Sequence, residues 1–160
     1  MKKITSTVVA LVAATVVTGA ALAGTTAHKP IAFAASFSGN ATTQSSDNVV
    51  TINANGTGAG TGLGAAKIAG LGTGDSSKQP CVPFTGTGKM TGTSGTLSFK
   101  VTPGSSGCGD EQGQTFSVSG HAVVLKGTGK KLAGAKGTLK MTGTYDRSSG
   151  AFSVKFTGKI

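Results

Sequence analysis

From Thr138 to Ile160 the chain keeps a two-residue period that suits extended backbone and no helix. Leu139, Met141, Gly143 and Tyr145 alternate with Thr138, Lys140, Thr142 and Thr144, and Phe152, Val154, Phe156 and Ile160 alternate with Ser153, Lys155, Thr157 and Lys159. Successive strand side chains point to opposite faces, so this parity predicts two strands, each with one buried and one wet face. The intervening Asp146-Arg147-Ser148-Ser149-Gly150 has the composition of a hairpin loop.

The same period recurs upstream. Leu97, Phe99 and Val101 oppose Ser98, Lys100 and Thr102; Phe84, Gly86, Gly88 and Met90 oppose Thr85, Thr87, Lys89 and Thr91; Phe116, Val118, Gly120, Ala122 and Val124 share a face opposite His121. Val123 and Leu125 on that second face predict that the wet side becomes covered there. Eight segments have strand character: Ile31–Gly39, Asn48–Thr57, Leu63–Gly72, Val82–Thr91, Thr96–Thr102, Thr115–Leu125, Lys136–Tyr145 and Gly150–Ile160. Beyond the N-terminal stretch no segment has an apolar period of 3.6. Short strands at regular spacing with turns between them predict an all-β fold, a single eight-stranded antiparallel β-barrel. Gly56, Gly58, Gly60, Gly62 and Gly64 fall on alternate positions. This run fits a flexible loop better than a wall opened for a ligand.

Residues 1–23 have the form of a signal peptide. Lys2 and Lys3 precede an uncharged stretch from Ile4 to Val17, and Ala21-Leu22-Ala23 places small residues at a cleavage site, with Thr25-Thr26-Ala27 a second one. Residues 24–30 are then a short N-terminal segment, and 31–160 the barrel domain. The stretch is rich in Ala, Thr and Gly rather than Leu and Ile, which favours a cleaved leader over a transmembrane anchor. The expected location is extracellular or in the cell envelope, in a bacterial style. Cys81 and Cys108 are an even pair in an exported chain, so a disulfide is expected, pinning the polar loops Ser76–Pro80 and Gly104–Gly113 to the barrel wall. Loss of Lys2 and Lys3 with the leader leaves thirteen basic and five acidic side chains, a balance of +8. That favours anionic partners such as envelope polymers. The seven Phe fall mostly on inward positions, so no exposed aromatics interleave with the basic residues, which argues against nucleic acid.

Candidate chemistry is sparse. Asp47, Asp75, Asp110, Glu111 and Asp146 all fall in turns or loops, and His28 and His121, the two histidines, have no acid near them in sequence. Metal binding needs convergent ligands and none are patterned here; no cofactor motif is present. Gly129-Lys130-Lys131 and Gly88-Lys89-Met90 lack the Ser or Thr and the strand–helix context of a phosphate loop. The Thr-Gly-Thr triplets at 85–87, 91–93 and 142–144 have unequal spacing, unlike a stacked threonine array.

The run Gly127-Thr128-Gly129-Lys130-Lys131-Leu132-Ala133-Gly134-Ala135-Lys136-Gly137-Thr138-Leu139 resembles the glycine-rich corner G-T-G-x-[FL]-x-G-A-x-G-x-[GL] of allene oxide cyclase-like and dirigent-like barrels, with one extra lysine before the leucine. The strand pair that follows, closing on Phe156-Thr157-Gly158, is also similar to the end of those proteins. The resemblance is strong over Thr115–Ile160 and only topological over Ile31–Cys108. It implies a calycin-like eight-stranded antiparallel barrel, and an isomerase, cyclase or dirigent-like activity on a lipid-derived or phenolic substrate, with polar catalytic groups inside the lumen. In this chain no inward position of a clear strand carries an acid, His, Arg or Cys. The residues themselves therefore favour a non-catalytic barrel. Its lumen would be lined by Phe84, Met90, Leu97, Phe99, Phe116, Val118, Met141, Phe152 and Phe156 and would bind a small hydrophobic ligand. Its exterior would present Lys89, Lys100, Lys140, Lys155 and Lys159 to an anionic envelope polymer. A purely structural surface protein is the third reading.

Overall fold

The computed structural model describes residues 29–160; the expected signal peptide with its cleavage sites, and His28, lie outside the described residues. The strands are β1 (Ala32–Ser46), β2 (Val49–Gly60), β3 (Gly64–Asp75), β4 (Cys81–Gly92), β5 (Thr96–Val101), β6 (Ser106–Gly109), β7 (Thr115–Thr128), β8 (Gly137–Asp146) and β9 (Ala151–Lys159). Consecutive strands pair antiparallel except β5 and β6, which do not pair with each other, and β1 pairs with β9, so the sheet closes on itself. β5 and β6 both lie between β4 and β7 and together fill one place in the wall. The result is a closed eight-stranded antiparallel barrel.

The ninth strand corrects the expectation of a polar loop over Gly104–Gly113. Gly86 pairs with Val101 and Pro83 with Ser106, so Phe84 and Thr85 on β4 face four residues, Thr102 to Ser105. The wall strand makes a short excursion there and then resumes as β6. Ser105 anchors the excursion: its hydroxyl donates to the Thr102 carbonyl at 2.9 Å and accepts from the His121 amide at 3.2 Å. It occupies the space that a Cβ at Gly120 would fill.

Two further expectations are overturned. The glycine run is no loop: Gly56, Gly58 and Gly60 belong to β2, paired in unbroken register with β1 and β3, only Gly62 lies in the turn, and Gly64 opens β3 opposite Gly60. Nor is that wall open. A Cβ at Gly56 would come 2.9 Å from the Phe152 ring, and one at Gly58 would strike Phe37 and the Ser36 carbonyl. These positions are empty of side chain because neighbours fill them. On β7, Val123 and Leu125 stay exposed, at 37% and 54%. The register with β5 slips between Ser98 and Phe99, leaving Leu125 unpaired as a bulge. The bulge reverses parity, so that Gly127 turns inward while Leu125 remains in solvent. β1 also runs on past Gly39 to Ser46, since Ala41, Thr43 and Ser45 continue the inward parity without the apolar bulk that would have marked a strand.

One end of the barrel is plugged. Leu63, Met90, Leu97, Leu132, Leu139 and Ile160 are almost completely buried there. Leu132 comes from the corner between β7 and β8, which Gly129 (φ +94°) and Gly134 (φ +74°) allow to fold back over the barrel axis. Its side chain would contact a Cβ at Gly62 (3.1 Å) and at Gly95 (3.4 Å), on the turns that follow β2 and β4. Leu132 is thus a stopper held between three connections. The chain ends are tied at the same level, Ile31 N donating to the Ile160 carbonyl at 2.7 Å and Ile160 N to the Ile31 carbonyl at 3.0 Å.

Candidate functional site: an apolar cup open at one end

Above the plug the lumen is empty. A cavity of about 440 Å³ opens at the end of the barrel formed by the β1–β2, β3–β4, β6–β7 and β8–β9 connections. Its volume falls within the range of about 300–1,000 Å³ typical of small-molecule pockets. Eight strands enclose just enough room to be filled by side chains or to hold one small ligand; here side chains fill the lower part and leave the upper part open.

The wall composition explains the difference. On the inner face of β3 and β4 the cavity is bounded by backbone at Gly70, Gly72 and Gly86. Gly72 and Gly86 are directly paired. A Cβ on Gly86 would lie 2.5 Å from the Leu71 carbonyl oxygen, and one on Gly72 would lie 2.8 Å from that of Thr85. The sheet bends here too sharply for inward side chains, so glycine both permits the curvature and leaves the lumen vacant. At Gly70 the constraint is absent: only the Thr87 carbonyl lies within 4 Å of a Cβ, at 3.7 Å.

Phe84 stands beside the glycines on β4, Phe116 and Val118 come from β7 and Phe152 from β9, with Phe99, Phe156 and Met141 at the base. Phe99 and Phe156 pack tilted, ring centroids 5.1 Å apart, and the Phe99 ring lies where a Cβ of Gly88 would be. Of the nine residues expected inside, seven therefore line the cup. Met90 and Leu97 lie in the plug, with no exposed surface. Val50 and Ile52 on β2 also line the cup. Their alternation with Thr51 and Asn53 was a signal for them, diluted by the glycines that follow.

Beyond the wall residues Thr85, Thr87 and Ser153, the polar groups of the lining gather at the mouth. Tyr145 stacks near Phe116 (centroids 6.2 Å), and its hydroxyl lies 3.5 Å from that of Thr43. Arg147, on the β8–β9 turn, reaches the same opening. Among the described residues no carboxylate, histidine or cysteine lines the cavity. The acids serve the turns around it. The Asp146 carboxylate accepts from the Ser148 hydroxyl (2.6 Å) and from the Ser148 and Ser149 amides, and these bonds hold its pKa at about 2. The Ser77 hydroxyl lowers the pKa of Asp75, and the Gln114 amide that of Asp110. Each favours the charged form by donating to it. Among the described residues no three His, Cys, Asp or Glu side chains come together as a metal site.

The disulfide joins Cys81 at the start of β4 to Cys108 on β6, directly across the ladder. Lys89, Lys100, Lys140, Lys155 and Lys159 are all exposed on the outer wall. Among the described residues no helix is long and apolar enough to cross a membrane, a statement that does not bear on strands. No protein-family model matches the chain, and neither a curated protein nor a solved structure is significantly similar to it.

Proposed function

We propose that this protein is an exported, non-catalytic carrier or receptor for a small, largely apolar molecule, taken up through the open end of the barrel. The observation that supports the reading is the blind apolar cup, closed below by Leu132 and its neighbours and walled on one side by bare glycine backbone. A molecule entering it exchanges water for aromatic and aliphatic surface, at roughly 25 cal/mol per Å² buried. The Tyr145–Thr43 pair and Arg147 at the mouth suit a ligand whose single polar end stays near solvent. The export reading rests on the leader-like residues 1–23 and the disulfide. The alternative of an isomerase or cyclase would need an acid or base against the substrate, and the lining offers only Tyr145 and Arg147, both at the entrance.

The test is saturable uptake of 1-anilinonaphthalene-8-sulfonate by the purified protein and its displacement by decanol, with native mass spectrometry for stoichiometry. One molecule per barrel, displaced by decanol, is expected. Absence of saturable uptake, or uptake unaffected by filling the cup at Gly70, would overturn the reading.

A further inference from the structure

Charge is segregated along the barrel axis. Asp47, Asp75, Asp110, Glu111 and Asp146 all lie at the open end, and no acidic residue is placed anywhere else between 29 and 160. Of the basic residues only Lys78 and Arg147 share that end. The rest occupy the wall and the plugged end, and the wall lysines are not scattered.

The strand registers show how they group. Lys140 on β8 pairs with Thr157 on β9, which Lys155 and Lys159 flank at two residues either side. Diagonal neighbours on one sheet face lie about 7–8 Å apart, so these three ammonium groups form one cluster. Ser98 on β5 pairs with Lys89 on one side and Lys126 on the other, and Lys100 is two residues along the same face. A single row, Lys159–Thr138–Val123–Lys100, joins the two clusters across three ladders, about 14 Å at the usual strand spacing. The side chains between them are Ser, Thr, His121 and the exposed Val123 and Leu125.

From this arrangement we infer that the outer wall of β4, β5, β7, β8 and β9 is a docking surface for a flexible, linear, phosphate-bearing polyanion. A belt of like charges with no acid within it gains most from a ligand that supplies the opposite sign along its length. The six lysines span five strands of a convex wall, which a flat bilayer can touch only along a narrow sector but a flexible chain can follow. Lysine meets phosphate as a point charge with rotatable donors, which suits a chain of phosphates whose orientation varies along the wall. The acidic open end is repelled by the same polymer, so docking leaves the cup facing away from it.

The test is binding of long-chain inorganic polyphosphate, followed by fluorescence anisotropy across a salt titration. If all six lysines engage, log Kd is expected to rise with log salt with a slope of about 4, at roughly 0.7 per phosphate contact on a flexible chain. The triple variant Lys140→Gln, Lys155→Gln, Lys159→Gln, all three on the solvent face, should lower the slope to about 2 and weaken binding about tenfold or more. A second triple variant, Lys130→Gln, Lys131→Gln, Lys136→Gln, removes equal charge from the β7–β8 corner and should have a clearly smaller effect. Equal losses in the two triples, salt-independent binding, or tighter binding to phosphatidylglycerol vesicles than to polyphosphate at equal phosphate would each overturn the inference. Filling the cup by Gly70→Leu should leave polyphosphate binding unchanged, so failure of the cavity reading and failure of this one remain distinguishable.

Discussion

Two glycines on one strand face, two residues apart, should respond to the same substitution with opposite sign. Gly70 and Gly72 are both extended, both on the inner face of β3 and both at the cavity wall. A Cβ at Gly70 meets only the Thr87 carbonyl, at the ordinary contact distance of 3.7 Å, whereas one at Gly72 sits 2.8 Å from the Thr85 carbonyl oxygen, which is backbone and cannot swing aside. Gly70→Ala should therefore stabilise the protein by about 0.4–1 kcal/mol, through the lost freedom of the unfolded chain. Gly72→Ala should destabilise it by about 1–3 kcal/mol, the usual cost of forcing an extra carbon into a packed site.

Gly70→Leu carries the argument into function. Complete burial of a leucine contributes about 1.5–3 kcal/mol. A side chain in a cup open on one side gains about half of that, so the variant should be about 0.8–1.5 kcal/mol more stable than the parent. For a domain of this length that is a rise in Tm of about 3–5 °C. The same side chain occupies the space the ligand would take, so dye uptake should fall at least tenfold. Urea melts read the stability terms as shifts in midpoint at constant m, and dye titration reads the occupancy. A Gly70→Leu protein that is more stable yet binds dye as the parent does would refute the placement of the ligand in the cup. If Gly70→Ala and Gly72→Ala shift the midpoint in the same direction and by the same amount, the geometric account of the glycine wall is wrong.

Truncating the stopper should be costly: Leu132→Ala is expected to lose about 2–5 kcal/mol, the range for a buried leucine whose site cannot collapse, read by the same urea melts. Asp146 gives a pH signature. Its folded pKa lies at about 2, below the ordinary 3.8, so the unfolded chain takes up the proton first as pH falls. The stabilisation is complete above 3.8 and is lost as pH falls toward 2; Asp146→Ala should flatten the stability profile in that window, and an unchanged profile would contradict the hydrogen-bond account.

Strand parity made the inward set legible, because a period of two fixes which residues share a face whatever the topology. The corner at Gly127–Gly137 was legible as a sharp turn, since several of its glycines adopt backbone that other residues resist, but the burial of Leu132 between them was not read from it. Three features were not legible. Parity cannot tell a side chain in the plug from one at the cavity wall, which is why Met90 and Leu97 were grouped with Phe84 and Phe152. Glycine on alternate positions reads equally as loop, opening or close packing, and only the approach of Phe37 and Phe152 decides among them. The bulge at Leu125 depends on how β7 meets β5, a long-range register that local sequence does not state.

An empty lumen raises the question of what holds the open end in shape, since there is little core there to do it. The rim substitutes polar and covalent ties for apolar packing. Its connections form a ring of backbone hydrogen bonds: Ser76 donates to Asn48 (2.9 Å), Gly109 to Pro80 (2.8 Å), Arg147 to Gln114 (2.8 Å) and Ala41 to Gly150 (2.7 Å). Asp75, Asp110 and Asp146 each fold their own turn by accepting local donors. Cys81–Cys108 closes a separation of 27 residues, which by the chain-entropy relation contributes about 3.5 kcal/mol, and it does so beside the excursion where the wall strand is broken. Reduction should therefore loosen the mouth before the plug, with amide exchange rising first in Ser106–Gly109 and Thr115–Ser119 while Leu97, Leu132 and Leu139 stay protected. A uniform rise in exchange across both ends would mean that the barrel unfolds as one unit and that the rim has no independent means of support.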